Sequence, residues 1–211
     1  MTDQDLFPQR LIPVVILDDV NRADDLASAL VDGGLPVAEV TFRTAGAAAV
    51  IEKMAAHSDV LVGAGTVITV EQVKQAADAG ARFLVSPGLD ADVVRAAQEI
   101  SLPIFPGVVT PSEIIAALKL GLTRLKFFPA GNYGGAATLK SLASPFQQVS
   151  FIPTGGVSSA NLADFLSLPN VAAVGGSWMV PPKAMAAGDF DTVRSLAAEA
   201  VAAAAAAAIK N

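Results

Sequence analysis

Residues 124–130 read Arg124-Leu125-Lys126-Phe127-Phe128-Pro129-Ala130, an apolar and aromatic strand pattern that carries one lysine and ends at a proline. Burial of a lysine is costly, because the ammonium group loses its hydration and the pKa of the amine falls. An amine that is neutral near pH 7 is also a nucleophile that forms a Schiff base with a carbonyl group. The alternative is a lysine whose stem lies along the strand while its charged end reaches water. This stretch alone favours the alternative.

A short apolar run followed by a helical pattern, as around this stretch, recurs eight times along the chain. The predicted strands are 12–17, 37–42, 60–64, 82–85, 102–105, 124–128, 149–152 and 171–174. The predicted helices are 21–31, 45–56, 71–79, 91–100, one that begins at 110–113, 136–142, 159–166 and 192–209. Near-continuous apolar strands that alternate with helices indicate an α/β protein with a parallel sheet covered by helices. Eight such units predict a closed (β/α)8 TIM barrel, with a doubly wound open sheet as the alternative.

No linker and no break in composition divides the chain, so residues 1–211 are expected to form a single (β/α)8 barrel domain with a short N-terminal helix. Local signals predict individual helix starts. Thr110 and Glu113 have the spacing of a capping box. Thr69 and Asn21 are predicted to cap two earlier helices, because their side-chain oxygens can accept backbone N–H groups of the first turn.

The composition restricts the class of protein and its partners. Of the 211 residues, 53% are hydrophobic and 16% are charged, which permits a substantial core and excludes a disordered chain. A net charge of −6 argues against a nucleic-acid partner, because phosphate backbones select basic surfaces. The longest apolar run, 200–209, has ten residues, fewer than a membrane-spanning helix needs, so no membrane partner is expected.

The chain contains no cysteine and one histidine, His57. Without cysteine there is no disulfide framework, and segment 1–10 is polar and acidic, unlike a signal peptide, so a cytoplasmic location is expected. Zinc sites draw on clusters of His and Cys, whereas His57 lies at the polar end of a predicted helix, where a surface role is expected. We therefore predict no metal site and no cofactor.

The carboxyl ends of the strands are where a barrel carries its function. On the second strand, Glu39, Thr41 and Arg43 share one face, because side chains alternate between the two faces of a strand. An inward carboxylate needs a partner, since a charged group is rarely buried alone. The structural alternative to a catalytic role is a buried ion pair of Glu39 with Arg43 or Arg124.

On the strand of the opening stretch, Arg124, Lys126 and Phe128 share one face, and Leu125 and Phe127 are expected to pack under the helices. If Lys126 faces the interior of the barrel, the second and sixth strands present an amine and a carboxylate to one cavity. A carboxylate that transfers protons beside a nucleophilic amine is what Schiff-base chemistry needs.

Glycine-rich segments follow three of the predicted strands. Segment 63–66 brings backbone close to the cavity and ends in a threonine, although a lone Gly-x-Gly-Thr is often only a tight turn. Segments 154–156 and 175–177 each carry a glycine pair after the seventh and eighth strands. These two ends are where barrels hold phosphate groups with backbone N–H groups, so we predict a phosphate site there.

Seven motifs lie in order along the chain. They are Glu39-Val40-Thr41, Arg43-Thr44, Gly63-Ala64-Gly65-Thr66-Val67, Ser86-Pro87-Gly88, Lys126-Phe127-Phe128-Pro129-Ala130, Pro153-Thr154-Gly155-Gly156 and Gly175-Gly176-Ser177-Trp178. Over about residues 13–198 the chain thereby resembles the bacterial 2-keto-3-deoxy-6-phosphogluconate/4-hydroxy-2-oxoglutarate aldolases.

The resemblance implies a class I, metal-free aldolase on a (β/α)8 barrel, usually a homotrimer, with a small-molecule keto-acid phosphate as substrate. By this resemblance Lys126 forms the Schiff base with the C2 ketone, and Glu39 is the general acid/base. Arg43 and Thr66 would bind the carboxylate of the pyruvyl part. The remaining implied site residues are Thr154 and Phe128, which line the pocket, and Gly155, Gly156, Gly176 and Ser177, which hold the distal phosphate.

The chain departs from the family pattern in two loops. The segment after the sixth strand begins with Gly131, where relatives carry an acidic residue or alanine. The loop after the first strand reads Asp18-Asp19, where a basic residue is expected. Both loops border the predicted mouth of the site and could change the aldehyde preference.

Two other functions are open from the residues alone. A phosphate-binding barrel that acts as an isomerase or synthase would keep the glycine pairs but give Lys126 no covalent role. A non-catalytic sugar-phosphate binder would use Glu39, Arg43 and Lys126 as a buried ion network.

Overall fold

The computed structural model describes residues 6–208, in which strands and helices alternate along the chain. The strands are β1 Leu11–Val15, β2 Val37–Thr41, β3 Leu61–Gly65, β4 Leu84–Val85, β5 Ile104–Phe105, β6 Gly107–Val108, β7 Arg124–Phe127, β8 Ser150–Pro153 and β9 Val174–Gly176. The helices are α1 Ala23–Asp32, α2 Ala47–Ala55, α3 Val70–Asp78, α4 Ala91–Glu99, α5 Pro111–Lys119, α6 Gly135–Ala143, α7 Leu162–Leu166, α8 Pro182–Ala187 and α9 Phe190–Ala208. Among these residues, no helix combines the length and apolar content that crossing a bilayer requires.

The strands form a curled parallel sheet in the order β5-β4-β3-β2-β1-β9 and a second one in the order β6-β7-β8. Only Pro106 separates β5 from β6, and proline has no N–H to donate to a ladder. Two isolated parallel bridges, Phe151 to Val171 and Thr154 to Gly175, link the second sheet toward β9. The order from β9 through β1 to β5 has no reversal, unlike the switch point of a doubly wound sheet. The predicted α/β class with a parallel sheet is confirmed.

Some predicted boundaries are wrong. The predicted strand 171–174 is displaced, because the ladder runs over Val174–Gly176 and Val171 makes only an isolated bridge. The helix α8 was not predicted, since two prolines and short length mask its pattern. The expected N-terminal helix falls partly on residues 1–5, outside the described range, and residues 6–10 form a bend and a turn. Residue 209, the predicted end of the last helix, also lies outside that range.

Side-chain caps fix several helix starts. Thr110 and Glu113 form the predicted capping box of α5: the Glu113 N–H donates to Thr110 Oγ1 over 3.3 Å, and the Thr110 N–H donates to Glu113 Oε2 over 2.8 Å. Thr69 caps α3 as predicted. The prediction for Asn21 is wrong, because Asp19 accepts the Asn21 N–H at the start of a short 3₁₀ turn.

The core consists mostly of buried apolar side chains, with a small set of buried polar ones. Leu125 and Phe127 of β7 are fully buried, as predicted, and the Phe127 ring meets Phe151 edge to face with centroids 6.2 Å apart. In residues 6–208, the buried polar or charged side chains are those of Glu39, Thr41, Ser86, Lys126 and Thr154. Thr41, Ser86 and Thr154 lie at or just after the carboxyl ends of strands, whereas Lys126 and Glu39 lie one and two residues before such ends. Burial of a polar group is costly. The concentration of such groups toward one end of the strands therefore indicates a functional site.

Candidate active site

The structure brings Lys126 of β7 and Glu39 of β2 together. The Lys126 Nζ lies 3.4 Å from Glu39 Oε1, and the two side chains are 4% and 2% exposed. The interpretation in which the charged end of Lys126 reaches water is therefore wrong. Glu39 pairs with this lysine, whereas Arg43 contacts Thr66 and Arg124 contacts Ser150.

Two neighbours shape the lysine–glutamate pair. The ring of Phe128 lies 4.9 Å from the Lys126 Nζ, at the distance of a cation–π contact. Gly65, at the end of β3, lies so close to the carboxyl group of Glu39 that a Cβ there would overlap its Oε1 atom. The carboxylate is thus held between the lysine amine and a bare stretch of backbone. The amine and the carboxylate lie within hydrogen-bond distance, the geometry that a general acid or base requires.

The predicted carboxylate-binding residues, Arg43 and Thr66, also lie together. The Arg43 Nε donates to Thr66 Oγ1 over 3.3 Å, and the Arg43 side chain is exposed. Thr66 has a φ of 58°, in the left-handed region, which is strained for a β-branched residue. Because Gly65 precedes Thr66 and contacts Glu39, this polar pair adjoins the lysine–glutamate pair.

The loop after β8 is joined to the lysine through Phe128. Gly155 and Gly156 have φ values of 86° and 78°, which other residues rarely adopt. A Cβ at Gly155 would lie 3.2 Å from the Phe128 ring, so the ring packs directly on this loop. The Gly131 N–H donates to the Gly155 carbonyl over 2.9 Å, which fixes the loop against the one after β7.

The loop after β9 lies beside Thr154. Gly175 is bridged to Thr154, and a Cβ at Gly175 would overlap the Thr154 hydroxyl. Gly176 is covered by the indole of Trp178, and a Cβ there would overlap this ring. Ser177 is exposed just beyond the strand. The predicted phosphate-binding residues therefore lie on neighbouring loops at the carboxyl ends of β8 and β9. Their role stays a prediction.

Arg124 lies at the amino end of β7. Its Nε donates to Ser150 Oγ over 3.5 Å, and the residue lines a cavity of about 450 Å³ with Phe7, Arg10 and Val171. Burial lowers the pKa of the Arg10 guanidinium from its ordinary value. Arg124 thus shares the β7 face of Lys126, but it lines a cavity at the amino ends of the strands, opposite the lysine–glutamate pair.

His57 lies on the surface, as predicted. Its Nε2 is 2.9 Å from Asp24 Oδ1, and Lys53 Nζ is 2.9 Å from the other carboxylate oxygen. The hydrogen bond to His57, followed by that to Lys53, lowers the pKa of the Asp24 carboxyl group below its ordinary value. Within residues 6–208, no group of three or more His, Cys, Asp or Glu side chains could hold a metal ion.

Sequence reasoning missed three residues of this region. Gly65 was seen as part of a turn, but not as the residue on which Glu39 lies. The motif that contains Trp178 does not reveal that its indole covers Gly176. Ser86, which directly follows β4, is 3% exposed, and a serine at the end of an apolar strand is the signal that marks it.

The geometry defines a class of protein: an α/β enzyme with a parallel sheet and a buried amine–carboxylate pair suited to Schiff-base chemistry. The family model described as KDPG and KHG aldolase matches residues 3–196. A 2-dehydro-3-deoxy-phosphogluconate aldolase of Treponema pallidum (strain Nichols) is 50% identical over 188 residues, which cover 89% of this chain and 90% of that protein. This chain therefore belongs to the KDPG and KHG aldolase family, a family of lyases.

Two solved structures are similar throughout. The 2-keto-3-deoxy-6-phosphogluconate aldolase of Zymomonas mobilis ZM4 with 3-phosphoglycerate has a TM-score of 0.88 and 43% identity, covering 94% of this chain and 93% of that chain. The KDPG aldolase from Legionella pneumophila, with pyruvate captured as a covalent carbinolamine intermediate, has a TM-score of 0.90 and 40% identity, covering 94% and 97%. The predicted family resemblance is confirmed.

Proposed function

We propose that this protein is a class I aldolase that cleaves 2-dehydro-3-deoxy-6-phosphogluconate to pyruvate and glyceraldehyde 3-phosphate. Its second substrate is 4-hydroxy-2-oxoglutarate, which gives pyruvate and glyoxylate. The observation that carries the proposal is the Lys126 amine, buried and 3.4 Å from the Glu39 carboxylate. The relative captured with pyruvate as a covalent carbinolamine supports the same chemistry.

The first half of the reaction makes the Schiff base. The lysine–glutamate pair carries one proton, and the reaction starts from the form in which Glu39 holds it. The unprotonated amine of Lys126 attacks the C2 ketone, and a proton moves from the nitrogen to the former carbonyl oxygen to give a carbinolamine. Glu39 then supplies the proton with which the hydroxyl group leaves as water, and a C2 iminium remains.

The second half breaks the carbon–carbon bond. The Glu39 carboxylate removes the proton of the C4 hydroxyl, a carbonyl forms at C4, and the electron pair of the C3–C4 bond moves into the iminium to give an enamine. The aldehyde leaves, and Glu39 returns the proton that it took from the C4 hydroxyl to C3, which restores an iminium and the Glu39 carboxylate. Water hydrolyses this iminium to pyruvate and frees Lys126.

The remaining predicted residues bind the two ends of the substrate. Arg43 and Thr66 hold the carboxylate of the pyruvyl part, because a guanidinium and a hydroxyl match its two oxygens. Thr154 and Phe128 line the pocket between the ends. The distal phosphate is held by the glycine loops, whose backbone N–H groups can approach an anion closely. These phosphate-binding residues are Gly155, Gly156, Gly176 and Ser177.

The proposal includes the architecture of the whole chain. The two sheets are joined into one closed (β/α)8 barrel, in which β5 and β6 count as one strand interrupted at Pro106. The support is the pair of bridges between Phe151 and Val171 and between Thr154 and Gly175. The chain is a single domain, 1–211, in the cytoplasm. The family resemblance supports a homotrimer, which light scattering on the purified protein tests directly.

The test of the function is borohydride reduction in the presence of pyruvate. Reduction should fix a pyruvyl adduct on Lys126, detected by peptide mass spectrometry, and Lys126→Met should abolish it. Lys119→Met, on an exposed turn of α5, is the matched control and should leave labelling intact. Glu39→Gln should keep substrate binding but lose about 10²–10⁴-fold in kcat, as removal of a general acid/base does.

Several outcomes would contradict the proposal. The absence of an adduct, or an adduct that persists in Lys126→Met, would exclude a Schiff base on this lysine. Binding of the phosphorylated substrate without turnover would indicate a sugar-phosphate binder. Near-normal kcat in Glu39→Gln would remove Glu39 from its assigned role.

A further inference from the structure

Arg43 lies in the loop between β2 and α2, and the chain is anchored on both sides of it. On one side, the Phe42 N–H donates to the Gly65 carbonyl of β3 over 2.8 Å. On the other side, the Thr44 Oγ1 donates to the Leu17 carbonyl over 3.1 Å. The Arg43 side chain is itself exposed, and a long exposed side chain loses conformational entropy when a ligand holds it. A fixed backbone at Arg43 therefore reduces the entropy that is lost when the guanidinium binds a ligand.

Asp18 makes a further anchor for the same loop. Its Oδ1 accepts the Gly46 N–H over 3.1 Å. The backbone of Gly46 is packed so closely on this segment that a Cβ there would overlap the Asp18 carbonyl oxygen. Asp18 belongs to the loop in which this chain departs from the family pattern, so the departure places an acceptor where the start of α2 needs one.

Together these contacts fasten segment 41–46 to segment 15–18. A third hydrogen bond between these segments lies deeper in the fold: the buried Thr41 donates its hydroxyl to the Val15 carbonyl over 2.9 Å. We call Thr41, Thr44 and Asp18 the loop clamp. Because Arg43 lies between Thr41 and Thr44, the loop clamp fixes the backbone from which the guanidinium extends toward Thr66.

We propose that Thr44 and Asp18 are positioning residues for the substrate carboxylate. They hold Arg43 where its guanidinium and the Thr66 hydroxyl can bind that carboxylate together. This inference rests on the proposed function, in which Arg43 and Thr66 bind the pyruvyl carboxylate. Thr44 and Asp18 act through Arg43 and take no part in bond making or breaking.

The test measures the pyruvate concentration that gives half-maximal borohydride labelling of Lys126. Thr44→Val removes the hydroxyl group at nearly constant shape, and Thr44→Ser retains it. Thr44→Val should raise the half-saturating pyruvate concentration by about tenfold, the upper range for loss of one hydrogen bond, while the labelling rate at saturation stays close to that of the wild type. Thr44→Ser should stay within about twofold of the wild type, because its hydroxyl can still reach the Leu17 carbonyl.

Asp18 provides an independent pair of variants if Thr44→Val does not fold. Asp18→Ala removes the acceptor for the Gly46 N–H, and Asp18→Asn keeps an acceptor oxygen. Asp19→Ala is the matched control, because Asp19 also accepts a backbone N–H but in the 3₁₀ turn that follows. Asp18→Ala should raise the half-saturating pyruvate concentration, and Asp18→Asn and Asp19→Ala should not.

A double-mutant cycle tests whether the effect passes through Arg43. In an Arg43→Ala background, Thr44→Val should cause no further loss of pyruvate affinity. A full additional loss in that background would overturn the inference, as would a wild-type half-saturating concentration in both Thr44→Val and Asp18→Ala. Absence of labelling in the wild-type protein would instead overturn the proposed function, so the two failures are distinguishable.

Discussion

The carboxyl group of Glu39 lies directly on the backbone of Gly65, with no space between them for a Cβ atom. This contact holds the acid of β2 against β3 while its Oε1 faces the amine of Lys126, 3.4 Å away. A carboxylate that transfers protons must keep its geometry through several steps, and a packed backbone restrains it without titrating. Gly65 is therefore part of the arrangement of the site, although it has no side chain.

Gly65→Ala should displace the Glu39 carboxylate, because the new Cβ would overlap it. Displacement by about 1 Å should lower kcat by about 10²-fold, while the protein still folds. Steady-state kinetics and thermal melting measure the two effects. Gly88→Ala is the matched control, since a Cβ at Gly88 meets nothing within 4 Å. Normal kcat in Gly65→Ala would show that the position of Glu39 is not critical.

Gly176→Ala should weaken binding of the distal phosphate, because its Cβ would overlap the Trp178 indole and shift the loop after β9. KM for the phosphorylated substrate should rise by about tenfold, in line with loss of one good hydrogen bond to a charged group. KM for 4-hydroxy-2-oxoglutarate, which has no phosphate, is the internal control and should stay the same. Adding Trp178→Leu should restore much of the affinity by making room for the Cβ, and an equal rise of KM for both substrates would argue against a phosphate site here.

Glu113 should make stability depend on pH. Burial raises its pKa, but hydrogen bonds from the N–H groups of Val109 and Thr110 and from the Thr110 hydroxyl outweigh burial, so the pKa lies below the ordinary value of 4.5. A lowered pKa in the folded state means that this stabilisation is present above pH 4.5 and is lost as the pH falls through the folded-state pKa.

Glu113→Gln, which retains acceptors but cannot titrate, should reduce the free energy of unfolding by up to about 1 kcal/mol near pH 7. Urea unfolding at a series of pH values should show this difference disappearing in acid. Glu71→Gln, an exposed first-turn acid of α3, is the control and should change stability by less than about 0.5 kcal/mol. A difference that persists unchanged in acid would contradict a role for the carboxylate charge.

Phe127→Ala should destabilise the fold by about 3–5 kcal/mol, because it removes a fully buried ring and leaves a cavity beside Phe151. Denaturant melts measure this loss directly. Tyr133→Ala, which truncates an aromatic side chain that is 50% exposed, should stay within about 0.5 kcal/mol of the wild type. A small effect at Phe127 would mean that the face of β7 opposite Lys126 is not part of the core.

The local features of this protein are readable from neighbouring residues. The capping box of Thr110 and Glu113 depends on a spacing of three residues within one helix, so no distant contact can change it. The alternation along β7, with Lys126 on one face and Leu125 and Phe127 on the other, follows from strand geometry alone. The last predicted strand shows where local pattern fails. The strand was predicted over 171–174, but β9 runs over Val174–Gly176, because its position is set by the register of its pairing with β1.

The sequence by itself determined the parallel α/β class, the faces of the strands and, through seven motifs, the family. Only the tertiary structure decided whether Lys126 reaches water or meets Glu39, since 87 residues separate the two in the chain. It also decided the contacts of Gly65 with Glu39 and of Thr44 with Leu17, which depend on how closely strands approach one another. Local preferences act within a few residues, whereas burial and backbone packing arise only when distant strands are brought side by side.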